Sequence, residues 1–447
     1  MTSYKEWSSP VPNRSIRPVV WVLATLFVTS GAWAQETVLA LEFNFSNPGA
    51  RSMGFGGAFA ALADDATSAF ANPAGLVQLV QPEVSIEGRY WGYTTPFTEG
   101  GRLSGEPTGI GIDTSAGLRF GESSENLSGL SFLSVVYPQN RWSVAVFGHR
   151  LANFRFTSQT NGFIREVPEG PVPGGLERFP DQTAETDFEI VTYGVTGALR
   201  VLDNLSLGLG VNYFRGELIS QSTLYGALTV LDPNPFRDED ILFSTLFSID
   251  DGDWGLSGGV LWKASEQWSL GGFYRQGPRF EIFGAAFAGP RSGLPPGTVV
   301  VDRSSPIAMP NTYGLGVAFR SKAGNLTVGF EWDRVEYASI IDSIDPSAFE
   351  VTPTLDDGDE FHLGGEYAFL QLRPVLALRL GLWRDPDHRL RATEESSDLV
   401  KALRPPGGDQ THYAGGLGLA FGRFQLDLGL DLSEFVDTAS LSAIFSF

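Results

Sequence analysis

The sequence predicts an all-β protein, a transmembrane antiparallel β-barrel of about fourteen strands, and three observations lead there. Apolar residues alternate with polar residues or glycine in many short segments, and short connections alternate with long ones. Beyond the first 34 residues no stretch is apolar enough for a membrane helix, which needs about 20 such residues. The 53 glycines and 33 phenylalanines among 447 residues suit glycine-punctuated strands better than helices.

At the N-terminus, Lys5, Arg14 and Arg17 precede an apolar run from Val19 to Val28, followed by Gly31-Ala32-Trp33-Ala34. Small residues after a short apolar run mark a cleavage site, so residues 1–34 are expected to be a signal peptide. A retained anchor is the alternative, but the run is shorter than a spanning helix. Cysteine is absent, which excludes both a disulfide framework and a lipidated cysteine. The formal net charge of −21 argues against a nucleic-acid partner, because phosphate binding needs clustered Lys and Arg.

Residues 35–80 show no sustained period of two and are rich in small residues, so they are expected to form a compact plug, or hatch, of loops and short helical turns in the lumen. Gly54, Gly56 and Gly57 read as packing glycines, since no strand precedes them and no Lys-Ser or Lys-Thr follows. Asn72 before Pro73 suits a fixed turn. Phe55, Phe59, Phe70, Asn72, Pro73 and Ala74 are therefore the candidate gate residues. The competing reading is that Asn72, Pro73 and Ala74 only end a helix that begins near Ala61.

Residues 81–447 carry the barrel pattern. From Phe424 to Leu432 every second residue is apolar, which in a strand places the two sets on opposite faces. Candidate strands lie at 83–93, 129–137, 142–153, 188–200, 205–221, 252–264, 268–283, 312–321, 325–337, 359–372, 374–384, 412–421, 424–433 and 439–447. A soluble sandwich and a membrane barrel share this alternation; connection lengths separate them. Pro138 to Arg141, Val201 to Asn204, Ser265 to Gln267, Lys322 to Gly324, Arg373 alone and Gly422-Arg423 are short. The connections between them run to about 20 to 35 residues, as outer loops do, and are uncommon in compact soluble domains. Glu434 to Thr438 is a short exception. The last strand has Leu441, Ala443, Phe445 and Phe447 on one face, and its closing aromatic resembles the assembly signal of outer-membrane barrels, which implies the barrel-assembly machinery as a partner. Tyr90, Trp91, Trp142, Trp254, Trp268, Trp332 and Trp383 fall near strand ends, where interface girdles sit.

Catalytic chemistry is not expected. The four histidines, His149, His362, His388 and His412, lack metal spacing and no Ser/His pair is singled out, so neither an enzyme, a metal nor a cofactor is anticipated. Asp250-Asp251-Gly252-Asp253 and Asp356-Asp357-Gly358-Asp359 could hold Ca²⁺ or be solvated rim turns; neither has a full twelve-residue loop closed by Glu. Parity puts Glu331, Asp333, Arg379, Asp427 and Asp431 in the lumen, as a polar wall lattice or, for Arg379, as a partner for an amphipathic head group.

The stretch from Asn47 to Phe59, the Ala63-Asp64-Asp65-Ala66 stretch and Asn72-Pro73-Ala74 closely resemble the N-terminal hatch of the bacterial outer-membrane long-chain fatty acid and hydrocarbon transporters, the FadL/TodX type. Met309 to Val317, Phe361 to Tyr367 and Tyr413 to Phe447 look like strand motifs of that family. The resemblance implies an outer-membrane channel for passive uptake of hydrophobic or amphipathic small molecules, surrounded by lipid and acting as a monomer. Such a solute needs an apolar groove among the outer loops, for which Phe236, Ile241, Phe243, Leu246 and Phe247, or Phe283, Phe287 and Leu294, are the candidates, with Phe243, Phe247, Phe283, Phe287 and Arg379 as the candidate ligand-binding residues. The alternatives are a scaffold barrel that binds secreted proteins and a general porin, the latter opposed by a plug that would obstruct a water channel.

Overall fold

The computed structural model describes residues 45–166, 175–227, 229–345, 353–404 and 407–447. The expected signal peptide and residues 35–44 of the expected plug lie outside them.

Fourteen antiparallel strands close into a barrel. They are β1 (Glu83–Arg102), β2 (Leu118–Pro138), β3 (Trp142–Thr160), β4 (Asp181–Leu202), β5 (Leu205–Tyr225), β6 (Ile241–Lys263), β7 and β8, each in two pieces, then β9 (Leu326–Val335), β10 (Gly358–Phe369), β11 (Val375–Asp385), β12 (Gln410–Phe421), β13 (Phe424–Leu432) and β14 (Val436–Ser446). β7 consists of Trp268–Arg275 and Arg279–Ala288, and β8 of Val299–Ala308 and Thr312–Arg320. Each is broken at a proline, Pro278 and Pro310, which has no N–H to give the ladder. The two breaks lie side by side, with Met309 N donating to Pro278 O (2.8 Å) and Gly277 N to Asn311 Oδ1 (3.0 Å). Closure is made by β1, which pairs with both β14 and β2.

The faces of the strands decide between sandwich and membrane barrel. On β11, Leu378, Leu380 and Leu382 are exposed, Leu380 to 75 %, while Arg379 is 4 % exposed. The same inversion runs round the barrel: Leu133, Val135, Val144, Val146, Val195, Leu209, Leu417 and Leu441 face outward, and Ser134, Ser143, Thr196, Asn212, Asp427 and Ser442 face inward. A continuous apolar belt of this kind far exceeds the few hundred Å² that a soluble monomer exposes, and it belongs in lipid.

The walls are uneven in height. A spanning strand needs about 9–11 residues. β9 to β14 have 9 to 12, whereas β1 to β6 have 19 to 23 and rise well beyond the bilayer. These extensions correct the expected loops, which are shorter than the sequence suggested: Ile241 to Asp250 and Val299 to Ala308 are strand. In the extended part of β6, residues 241–248 are all half-buried, so both faces have similar surroundings and no alternation marks the strand. Two of the aromatics assigned to the interface girdle also need correction. Tyr90, Trp142, Trp254 and Trp268 face outward, but Trp91 and Trp383 are 7 % and 5 % exposed and point into the lumen, on the same parity as Arg89 and Arg379.

One seam is open. β2 and β3 pair only from Phe132–His149 to Pro138–Ser143, although β2 is paired to β1 up to Leu118 and β3 to β4 up to Thr160. A bulge between Arg150 and Ala152 in the β3–β4 ladder marks where β3 leaves its neighbour. Above that point side-chain contacts span the gap, including Thr157 N donating to Ser123 Oγ (3.0 Å).

Candidate passage through the lumen

Residues 45–80 pack against the inward faces of strands on opposite sides of the barrel, as helix α1 (Ala50–Gly54), helix α2 (Ser68–Ala71) and a 3-10 helix (Pro73–Gln78) joined by turns. Small residues allow this. A Cβ on wall residue Gly381 would lie 2.3 Å from Gly56 N, one on Gly271 2.1 Å from Ala60 O, and one on Gly208 2.4 Å from Ala74 N. Gly56 itself has φ +70°, a conformation open to glycine at little cost. The glycines of residues 54–57 are packing glycines, as the sequence suggested.

Charged and polar groups tie the segment down. Arg51 pairs with Asp64 (2.6 Å) and Glu366 (3.1 Å), and Arg320 pairs with Asp64 (2.6 Å). Burial opposes the charge on Asp64, but Arg51 and Arg320 outweigh it and hold the carboxyl below its ordinary range. Gly49 N donates to Glu87 (2.8 Å) and Ala60 N to Glu331 (2.6 Å).

The six gate candidates sit together in this segment. Asn72 is fully buried and extended; its Oδ1 accepts from Ala74 N (3.1 Å), capping the 3-10 helix that Pro73 opens, while Nδ2 donates to Ala60 O (2.7 Å) and to Val260 O of β6 (3.1 Å). No helix begins near Ala61; the four-residue α2 stops at Asn72. Phe55 fills the hollow over Gly329 and Gly364, and Phe59 lies under the Arg51 guanidinium. Phe70 meets Phe147 and His149 edge-on (centroids 6.1 and 4.6 Å), at the lower end of the β2–β3 seam.

Lumen-facing Glu331, Asp333, Arg379, Asp427 and Asp431 are all buried, as parity indicated. Arg379 donates to Glu366 (2.7 Å) and Asp427 (2.7 Å), so its guanidinium is engaged by two carboxylates beneath the N-terminal segment. Of the aspartate-rich stretches, the first lies inside β6 and the second leads into the start of β10, both with donors in place. Asp251 and Asp253 accept from the N–H groups of Glu281 and Arg279, and Asp357 and Asp359 accept from Arg334. Gly255-Leu256-Ser257-Gly258-Gly259 has the spacing of a nucleophile elbow but runs straight through β6, with Ser257 Oγ accepting from Asn212 (3.2 Å).

Above this polar level the lumen changes character. Trp91, Tyr93, Phe154, Phe156, Phe188, Ile190, Phe214, Leu218, Ile249, Phe280, Ile282, Ile307 and Met309 form one buried apolar cluster with Ile340 and Ile341 of helix α3 (Ser339–Asp342) in the β9–β10 loop. Phe247 packs against it. Phe283 is 39 % exposed and points outward, and Phe243 and Phe287 are half-buried in the neighbouring strand extensions, so the four loop candidates do not form one groove. Sequence reading missed the cluster's own residues, although Phe188, Ile190, Phe214 and Leu218 share the lumen parity of Thr192 and Asn212. That run of parity was the available signal.

A closed barrel with an apolar outer belt, a packed N-terminal segment and an apolar upper lumen defines an outer-membrane transport barrel. Residues 180–439 match the family model of the outer membrane protein transport proteins (OMPP1/FadL/TodX), and the chain belongs to that family. It is thus an outer-membrane protein of the class that takes up hydrophobic compounds. Among solved structures, a Pseudomonas aeruginosa FadL homologue is similar at TM-score 0.62 and 16 % identity, with 91 % of this chain and 99 % of that one covered. The CymD monoaromatic hydrocarbon channel (TM-score 0.55, 16 %, 91 % and 99 %) and the Ralstonia pickettii toluene transporter TbuX (0.53, 15 %, 90 % and 99 %) share the fold. No curated protein matches the chain in sequence.

Proposed function

We propose that the barrel admits long-chain fatty acids or hydrocarbons passively, drawing them from the outer side into the apolar chamber and releasing them through the β2–β3 seam. The observation that carries this reading is the change in the lumen, polar where the N-terminal segment packs and apolar above it. A water-filled porin has no use for such a chamber and would be blocked by residues 45–80. The relatives' names point the same way, two being channels or transporters of monoaromatic compounds. The N-terminal segment acts as the gate: it closes the way downward, and Phe70 lines the foot of the seam. A scaffold that binds secreted proteins is less well supported. The reading includes insertion by the barrel-assembly machinery, action as a monomer within outer-membrane lipid, and transport without bound cofactor.

Replacing Phe154 and Leu218 by Asn tests it. Both side chains are buried in the chamber and neither touches the lipid-facing belt. Each large apolar side chain contributes roughly 1.5–3 kcal/mol of burial, so losing apolar lining weakens solute binding by about tenfold or more. Uptake of a fluorescent fatty acid by proteoliposomes falls accordingly in a barrel that still shows heat-modifiable mobility. Unaltered uptake contradicts the chamber's role.

A further inference from the structure

We infer that the lumen wall holds a Zn²⁺-class divalent metal site formed by Asp333, Glu360 and His362. The strand register creates it. β9 and β10 pair Asp333 with Glu360 and Glu331 with His362, so three carboxylates and an imidazole meet in a cross-strand square on the inward face. All four residues are buried. Like charges directly opposite each other in a sheet are destabilising, and inside a wall they call for a cation between them.

The orientation of His362 makes the demand specific. Its Nδ1 lies 2.8 Å from Gly56 O. A carbonyl only accepts, so Nδ1 carries the proton, and Nε2 is the nitrogen left to offer a lone pair to a metal. That atom is buried, makes no hydrogen bond, and faces Glu360 Oε2 at 3.4 Å and Asp333 Oδ2 at 3.9 Å. Three acceptors thus converge within 4.8 Å of one another. Donors around a tetrahedral Zn²⁺ sit about 3.4 Å apart, so small rotations bring these into range. One imidazole nitrogen with two carboxylate oxygens suits Zn²⁺ or Co²⁺ better than Ca²⁺ or Mg²⁺, which prefer oxygen throughout. A histidine ligand whose second nitrogen donates to a backbone carbonyl is the usual support of such a site.

Arg275 does not take the place of the metal. It lines the same cavity, but its guanidinium stacks on Phe70 and Phe273 (4.5 and 4.3 Å) and donates to Asn47 Oδ1 (3.1 Å), without an ion pair to the cluster. Asp333, Glu360 and His362 all line this one cavity, so their ligand atoms border free space. Because His362 also holds Gly56, the bound ion fixes the N-terminal segment to the wall through one side chain.

The test uses full-length processed protein in detergent, purified without a polyhistidine tag and stripped with chelator, then titrated with Zn²⁺ by calorimetry and with Co²⁺ by visible absorption. One equivalent is expected to bind in the micromolar range or tighter, with cobalt bands of nitrogen and oxygen ligation. His362→Gln and Glu360→Gln each weaken binding by more than about 100-fold, the upper effect of losing an outer-shell partner. His412→Gln, outside the square, leaves it unchanged. If one variant fails to assemble, the other and the wild-type cobalt spectrum decide. Absence of saturable binding to the stripped wild-type protein, as for a purely imidazolium–carboxylate cluster, overturns the site, and so does binding undiminished in an assembled variant.

Discussion

Asn72 makes hydrogen bonds at three points from one buried side chain: it caps the 3-10 helix, holds Ala60 and reaches Val260 on the wall. Its removal strands two buried carbonyls and one N–H, at about 1–3 kcal/mol for each group left unsatisfied. Replacing Asn72, Pro73 and Ala74 together is expected to leave the barrel assembled, since every ladder and the outer belt remain, while uptake changes because the Phe70 neighbourhood shifts. A heat-modifiable barrel with unaltered uptake kinetics contradicts a gate at this turn. The Asn-Pro-Ala turn was legible in the sequence as a place where the chain must bend, but its contact with Val260 was not, since the partner lies 188 residues away. Arg379 is a parallel case. Its inward direction followed from parity, whereas its pairing with Asp427 across two strands depended on a register that no local pattern reveals.

Elements were legible where lipid imposes alternation. All fourteen strands were located in their membrane-level portions, and the short turns between β2 and β3 and between β4 and β5 were placed within a few residues, because the two faces there see solvents of opposite kind. The outer extensions were read as loops because that contrast vanishes beyond the bilayer. The open β2–β3 seam is likewise invisible to alternation, which persists on both strands whether or not they pair. It is open to test because the chain has no cysteine. Ser123→Cys with Thr157→Cys places two thiols across the gap, where Ser123 Oγ already meets Thr157 N at 3.0 Å. Oxidation is expected to slow uptake several-fold and reductant to restore it. Equal uptake by the cross-linked and reduced forms, with cross-linking verified by mass spectrometry, contradicts a lateral exit.

At the scale of the whole molecule, the architecture sets two requirements against each other. On the proposed reading the lumen refuses ions and water through the packed N-terminal segment and its pairs Arg51–Asp64 and Arg320–Asp64, and passes an apolar solute by way of the upper apolar cluster and the seam. A barrel meeting both demands transports without conducting. The most direct measurement therefore records both properties in one preparation: proteoliposomes containing the wild-type protein, assayed for entry of a fluorescent fatty acid and an aromatic hydrocarbon, and the same protein in a planar bilayer. Entry faster than into empty liposomes, with no large stable conductance, is the result predicted here. A steady ion current without hydrophobic uptake would contradict it and return the barrel to the porins.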